Sequence, residues 1–324
     1  MSKSSPDHKK VLIIQYSQSG QLTRIIQQVS KPILESNEIE TRVITLEPVK
    51  PYPFPWPLLK FFNIFPECVY LDPPELKPIN MTTEERYDLI LFSYQVWFLS
   101  PSLPATAFLK SEVAKTIFQD TPVITLIACR NMWTQAHLTA KELLSKLGAK
   151  LIDNIVLLDQ GSTMASFVTT PRWLLTGHKD GFWGLPPAGV SDEDILSACR
   201  FGKAIVDGLA ADKELDGQPL LAGLGAVNAD VALIQSEKIG YRSFRIWGKL
   251  LRAIGDQSSK LRKIILVIYI LFLIGMILTV VPVTLLVKWL LRPLLVNYHQ
   301  RLKQEFEQPS GSGTERMEEF KCQN

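Results

Sequence analysis

Val11-Leu-Ile-Ile-Gln-Tyr-Ser-Gln-Ser-Gly-Gln-Leu-Thr-Arg-Ile25 is the stretch on which the fold of this chain turns. Val11 to Tyr16 is a short apolar run rich in β-branched residues, the composition of a strand buried on both faces. It breaks into Ser17-Gln18-Ser19-Gly20-Gln21, which is small and polar and carries a glycine. From Leu22 the apolar positions Ile25, Ile26 and Val29 fall at helical spacing. A strand, a hydroxyl-rich turn and a helix together make an anion site. Backbone N–H groups of the turn and the helix N-terminus face one ligand, and the hydroxyls add hydrogen bonds.

Outward from this stretch, strand and helix patterns alternate as far as about residue 211. Strands are expected at Ile39 to Leu46, Tyr87 to Tyr94, Pro122 to Ala128 and Leu151 to Leu158. Helices are expected over Leu103 to Phe118, Thr134 to Leu147 and Asp192 to Ala211. Buried strands separated by helices predict a parallel sheet covered on both faces, and five of them fit the order 2-1-3-4-5. That order opens a ligand crevice at the carboxyl ends of the first and third strands.

Ser17-Gln18-Ser19-Gly20-Gln21-Leu22-Thr23 resembles the phosphate-binding loop of flavodoxin-like proteins, with Leu22 where the last hydroxyl is expected and Thr23 one place later. The resemblance implies a flavodoxin-like doubly wound five-stranded domain that grips the phosphate of FMN. The third strand runs into Tyr94-Gln95-Val96-Trp97-Phe98 at the same crevice, similar to the aromatic loop that flanks the flavin ring in such proteins. Trp97 is the first candidate for ring stacking and Tyr94 the second; packing of Trp97 and Phe98 onto the next helix is the alternative. NAD(P)H is a candidate electron donor on the same resemblance.

After the fourth strand come Cys129-Arg-Asn-Met-Trp133, where Arg130 suits a substrate carboxylate or phosphate. Arg130 also favours a thiolate at Cys129, but no base is evident beside it, and an inert cysteine is the simpler reading. Asp159 to Val190 is expected as a long loop whose aromatic residues wall or cover the pocket.

Two other segments are unusually apolar. Residues 48–78 hold nine of the 21 prolines, so an extended insertion is expected there, followed by the apolar block Leu58 to Phe65. That block either folds back on the core or meets a bilayer or an apolar substrate. Residues 213–263 read as a glycine-bearing linker and a basic amphipathic helix. Ile239, Ile246, Trp247 and Leu250 lie on one face of it, against Arg242, Arg245, Lys249 and Arg252. Ile264 to Val287 then has no charged residue in 24 positions, long enough to span a bilayer.

Seven Lys or Arg precede that segment between Arg242 and Lys263, and four follow it between Lys288 and Lys303. The positive-inside rule therefore predicts one membrane pass, with the large domain cytoplasmic and the tail, residues 288–324, on the far side. A re-entrant hairpin returning the tail is the alternative. Met1 to Lys10 reads as a solvated arm rather than a signal peptide, since no apolar run follows its lysines. The four cysteines are scattered, which suits a reducing compartment, and a net charge of +3 gives no reason to expect a nucleic-acid partner.

Four segments narrow the resemblance: Tyr16 to Thr23, Pro51-Tyr-Pro-Phe-Pro-Trp-Pro57, Phe65 to Val69, and Cys129 to Trp133. Together they are similar to bacterial dialkylresorcinol condensing enzymes of lipid-like aromatic and aryl-polyene synthesis. This implies an FMN oxidoreductase anchored in the bacterial inner membrane, with a lipophilic substrate. Two rivals stand beside it: a flavin-free condensing or cyclising enzyme, and a membrane scaffold that recruits partner enzymes.

Overall fold

The computed structural model describes residues 8–82, 84–291 and 296–322; the expected arm lies outside it over residues 1–7. Strands β1 (Lys9–Gln15), β2 (Ile39–Thr45), β3 (Leu89–Trp97), β4 (Ser100–Pro101), β5 (Pro122–Cys129) and β6 (Lys150–Leu158) form one sheet. Its path is β2-β1-β3-β5-β6, all parallel, with β4 paired antiparallel to β3. The expectation of five strands in order 2-1-3-4-5 is therefore corrected to six. The extra strand arises because Phe98 and Leu99 take positive φ of 49° and 59°, turning the chain back so that Ser100 pairs with Trp97.

The residues predicted to be buried in the strands are mostly buried; the exception is the edge strand β2, where Ile44 is buried and Val43 is exposed. Val11 to Ile14 and Leu89 to Phe92 have no exposed surface. Helices α1 (Gln21–Glu35), α2 (Leu58–Asn63), α3 (Phe65–Val69), α4 (Leu103–Leu109), α5 (Glu112–Ile117) and α6 (Thr134–Lys146) fall between or beside them. They are followed by α7 (Thr163–Thr176), α8 (Asp192–Ser197), α9 (Cys199–Ala210), α10 (Val231–Ile254), α11 (Lys260–Leu291) and α12 (Val296–Glu307). α1 buries Leu22, Ile25, Ile26, Val29 and Ile33 and packs against α9. The approach needs Gly202, where a Cβ would lie 2.0 Å from the Val29 carbonyl oxygen.

The 159–190 excursion is not a plain loop, since α7 occupies its first half. Ser162 caps that helix by accepting from Ala165 N, and Gly177, at φ 80°, ends it. Asp159 ties the two ends of the excursion by accepting from Gly161 N and Gly189 N. The proline-rich insertion is likewise not wholly extended. α2 and α3 follow its Pro-x-Pro run, and Trp56, Ile64 and Cys68 are buried in the main core.

The largest departure lies beyond residue 212. Leu220, Leu221, Leu224, Ala226 and Val227 belong to the main core rather than to a linker. β6 is the sheet's edge, and Val156 N donates to Ala226 O, so this segment covers backbone groups that would otherwise face solvent. Leu302, Phe306 and Phe320 of the tail enter the same core. Cys199 and Cys322 are joined as a disulfide, with Cα atoms 6.0 Å apart. The scattered spacing therefore conceals a pair, and the inference of a reducing compartment from unpaired cysteines falls with it.

These contacts pack the tail against the core of the domain. Lys260–Thr279 is apolar and long enough to cross a membrane by length and composition. Its first turns, however, lie against the protein. Arg262 reaches Asn63 and Glu67, and Leu266, Tyr269 and Ile270 are buried on α3 and α10.

Candidate functional site

The loops after β1 and β3 meet, as neighbouring parallel strands require. Gln18 N donates to Gln95 Oε1 at 3.1 Å. Gly20 sits at φ 81°, in the left-handed region, and starts α1 with no side-chain cap. The space beside it is open, and a Cβ there would meet no atom within 4 Å. Ser17 Oγ is buried and finds no hydrogen-bond partner among the described residues. An orphaned hydroxyl beside uncapped N–H groups at the start of a 15-residue helix matches the donor set that a phosphate needs. Ser17, Ser19, Gly20, Gln21, Leu22 and Thr23 thus fit the phosphate end of FMN. Leu22 itself is fully buried, so it serves the core.

Gln18 and Gln21 have other duties. The Gln18 side chain donates to Tyr52 O and Pro53 O, at 3.0 and 2.7 Å, pinning the proline-rich segment to the loop. Gln21 Oε1 accepts from Val190 N at 3.3 Å and anchors the end of the 159–190 excursion.

The expected stacking residues are not free. Tyr94 has no exposed surface and packs beside Phe92 in the core, so it cannot face a ring. Trp97 is edge-packed with Tyr16, Tyr52 and Trp56. The proline-rich insertion, read in the sequence as a separate feature, supplies two of those rings. Of the candidates at the end of β3, Val96 and Phe98 instead line an apolar cavity of about 380 Å³.

This cavity lies at the carboxyl ends of β3 and β5. Val96, Phe98 and Leu99 line it from the end of β3, and Cys129, Arg130 and Met132 from the end of β5. α7 contributes Thr163 and Phe167, while α10 and α11 form the remaining wall with residues such as Phe244, Tyr269 and Met276. The 159–190 excursion therefore does wall the pocket, but through α7; Trp183 stands 93% exposed. Sequence reasoning missed α10 and α11 as cavity walls. On α11 the buried face, with Tyr269 and Ile270, is as apolar as the exposed one, and on α10 the apolar face is legible in the sequence but not what it packs against.

The titratable groups narrow the chemistry. Burial pushes the Cys129 thiol far up, with Glu237 adding to the effect, so Cys129 is held as the thiol. His137 is buried, and desolvation lowers it to about 4; its ring packs on Trp133. Among the described residues a protonated thiol without a paired base stands here, which gives no support to Cys129 as a nucleophile. Glu237 Oε2 accepts from Thr134 Oγ1 at 2.8 Å and Gln135 N at 2.9 Å, capping α6. Burial raises its carboxyl to about 7. Among the described residues no cluster of His, Cys, Asp or Glu suits a metal ion.

The parallel sheet with helices on both faces is a doubly wound α/β fold. Solved structures similar to the chain include flavoproteins and flavodoxins. A flavoprotein in complex with FMN from Lactobacillus acidophilus NCFM is 20% identical, covering 46% of this chain and 93% of its own, at a TM-score of 0.37. A flavodoxin from the domain Archaea is 12% identical, covering 62% and 99%, at 0.35. Oxidised flavodoxin 1 from Bacillus cereus is 15% identical, covering 61% and 98%, at 0.34. No protein-family model and no curated protein matches the chain. Nothing in these comparisons supports the narrower likeness to dialkylresorcinol condensing enzymes.

Proposed function

We propose that this chain is an FMN-binding oxidoreductase that acts on a lipophilic substrate at a membrane surface. The observation that carries this reading is the adjacency of two sites. A phosphate-type loop with an orphaned Ser17 Oγ follows β1, and an apolar cavity opens at the ends of β3 and β5. When bound, FMN supplies the redox chemistry. The chain's part is to hold the phosphate through Ser17, Ser19, Thr23 and the first N–H groups of α1. The walls of the cavity exclude water and hold an apolar partner.

The membrane half of the reading rests on α11 and α10. Leu261, Ile264, Ile268, Leu271 and Leu278 are all exposed on α11, an apolar stripe facing away from the domain. Beside it α10 exposes Arg242, Lys249 and Ile246, and α11 begins with Lys260 and Lys263. An apolar stripe edged by cations suits a leaflet with anionic headgroups. Because Leu302, Phe306 and Phe320 after α11 pack in the core of the domain before it, we infer attachment to one leaflet in place of a single pass.

Comparing FMN with riboflavin tests the flavin half, because the two differ only in the phosphate. Titration of the full chain in neutral-lipid nanodiscs, followed by flavin fluorescence, is expected to show saturable one-to-one FMN binding and much weaker riboflavin binding. Equal affinity for both, or none for either, overturns it.

A further inference from the structure

Among the described residues, Arg130 is the one charged group in the wall of the apolar cavity, and it has no acidic partner. Its guanidinium lies 4.1 Å over the Phe167 ring, and its side-chain hydrogen bond to Met132 Sδ is a long one, 3.7 Å. Burial lowers its pKa, opposed by Cys129 and Asp159. A guanidinium presents five N–H donors in a plane, and stacking on a ring satisfies none of them. Tyr269, in the opposite wall, has a buried hydroxyl without a partner. Asp159 attracts Arg130 but makes no ion pair with it, and a cation in apolar surroundings with no carboxylate in contact is costly; a ligand that brings one removes the cost.

The rest of the wall says what else the ligand must be. Beyond Arg130 the cavity continues between Phe244 on α10 and Phe272, Leu273, Met276 and Ile277 on α11. No second Lys or Arg among the described residues lines it, so a dianionic phosphate head would be only half neutralised. A carboxylate carries one charge and matches the planar guanidinium with two parallel hydrogen bonds. We propose that the cavity binds a long-chain carboxylate amphiphile, with its head on Arg130 and its aliphatic or aromatic body along α10 and α11. This rests on the reading of the cavity as the substrate site, and names the class of substrate. The apolar outer face of α11 lies beside the same wall, so such a ligand has a short route from a leaflet to the cavity.

The test uses one fluorescent polyene in two forms, cis-parinaric acid and its methyl ester. These bind the full chain in neutral-lipid nanodiscs, with empty nanodiscs as the blank. The wild type is expected to bind the acid saturably and at least tenfold more tightly than the ester. Arg130→Met is expected to bring the acid down to the ester's affinity while leaving the ester within twofold, and Arg130→Lys to restore part of the difference. Equal binding of acid and ester by the wild type, or acid binding untouched by Arg130→Met, overturns the proposal. So does the absence of saturable binding of either form, or a monoalkyl phosphate that displaces the acid at lower concentration. FMN absorbance recorded on the same samples separates this failure from a failure of the flavin reading, since probe binding does not require the phosphate loop.

Discussion

Ser310 Oγ donates to Asp153 Oδ1 at 2.6 Å, joining the tail to β6 across 157 positions of sequence. Asn154 N donates back to Ser310 Oγ at 2.7 Å, and Glu307 accepts from Ala229 N at 3.1 Å a turn earlier. With the Cys199–Cys322 bond, these contacts make the tail part of the domain. Ser310→Ala removes a donor from a buried carboxyl, which costs about 1–3 kcal/mol. Cys322→Ser opens a closed loop of 123 positions and is expected to cost about 2–4 kcal/mol. Denaturant midpoints of the two variants check both values, and a tail that merely drapes over the surface gives no change.

Sidedness follows from the same contacts. Ser312→Cys in the tail and Asp216→Cys in the domain are expected to react equally with a membrane-impermeant maleimide on sealed vesicles, in a background with Cys68 and Cys129 replaced by Ala. Protection of one and not the other restores a single pass.

Part of this architecture is legible in sequence. The strand cores, α1 and the loop between them show clean periodicities, so their burial and positions follow from pattern alone. The β4 turn does not, because positive φ at Phe98 and Leu99 is set by packing and neither residue advertises it. Leu220 to Val227 resembles a linker because glycines interrupt it, yet covering an edge strand needs little regular structure of its own. Trp97 illustrates the limit for the site. Its place at the crevice is readable, but two of the three rings against it come from a segment 41 to 45 positions earlier, whose docking no local pattern reveals.

Two neighbouring apolar patches should separate under mutation. Trp56 is 3% exposed in the core, whereas Leu58 and Leu59 are about half exposed. Trp56→Ala is expected to cost about 3–5 kcal/mol. A Leu58→Ser/Leu59→Ser pair is expected to leave the melting temperature within a degree or two and to weaken binding to anionic vesicles. A large loss of stability from the leucine pair contradicts the assignment of that patch to a surface.

Glu237 gives stability a pH dependence of known sign. Its carboxyl titrates near 7 in the folded chain because it is buried, against about 4.3 when unfolded. Between those values the folded state holds the extra proton, so this group's contribution falls as pH rises from about 4 to 7 and is constant above. Glu237→Gln keeps an acceptor for Thr134 and Gln135 and cannot ionise. Its stability relative to wild type is expected to rise across that window by on the order of 1–3 kcal/mol and then level off. Parallel curves contradict the assignment.

The visible spectrum of the full chain tests the account at its centre. Purified in mild detergent and supplied with FMN, the wild type is expected to retain about one flavin per chain after gel filtration, with the flavin bands shifted from those of free FMN. Ser17→Ala/Ser19→Ala is expected to lose most of it, since each hydrogen bond to a charged group contributes about 1.5–3 kcal/mol. Gly20→Val, which forces a β-branched residue to φ 81°, is expected to lose it as well. A folded wild-type protein that stays colourless after gel filtration contradicts the flavin assignment outright.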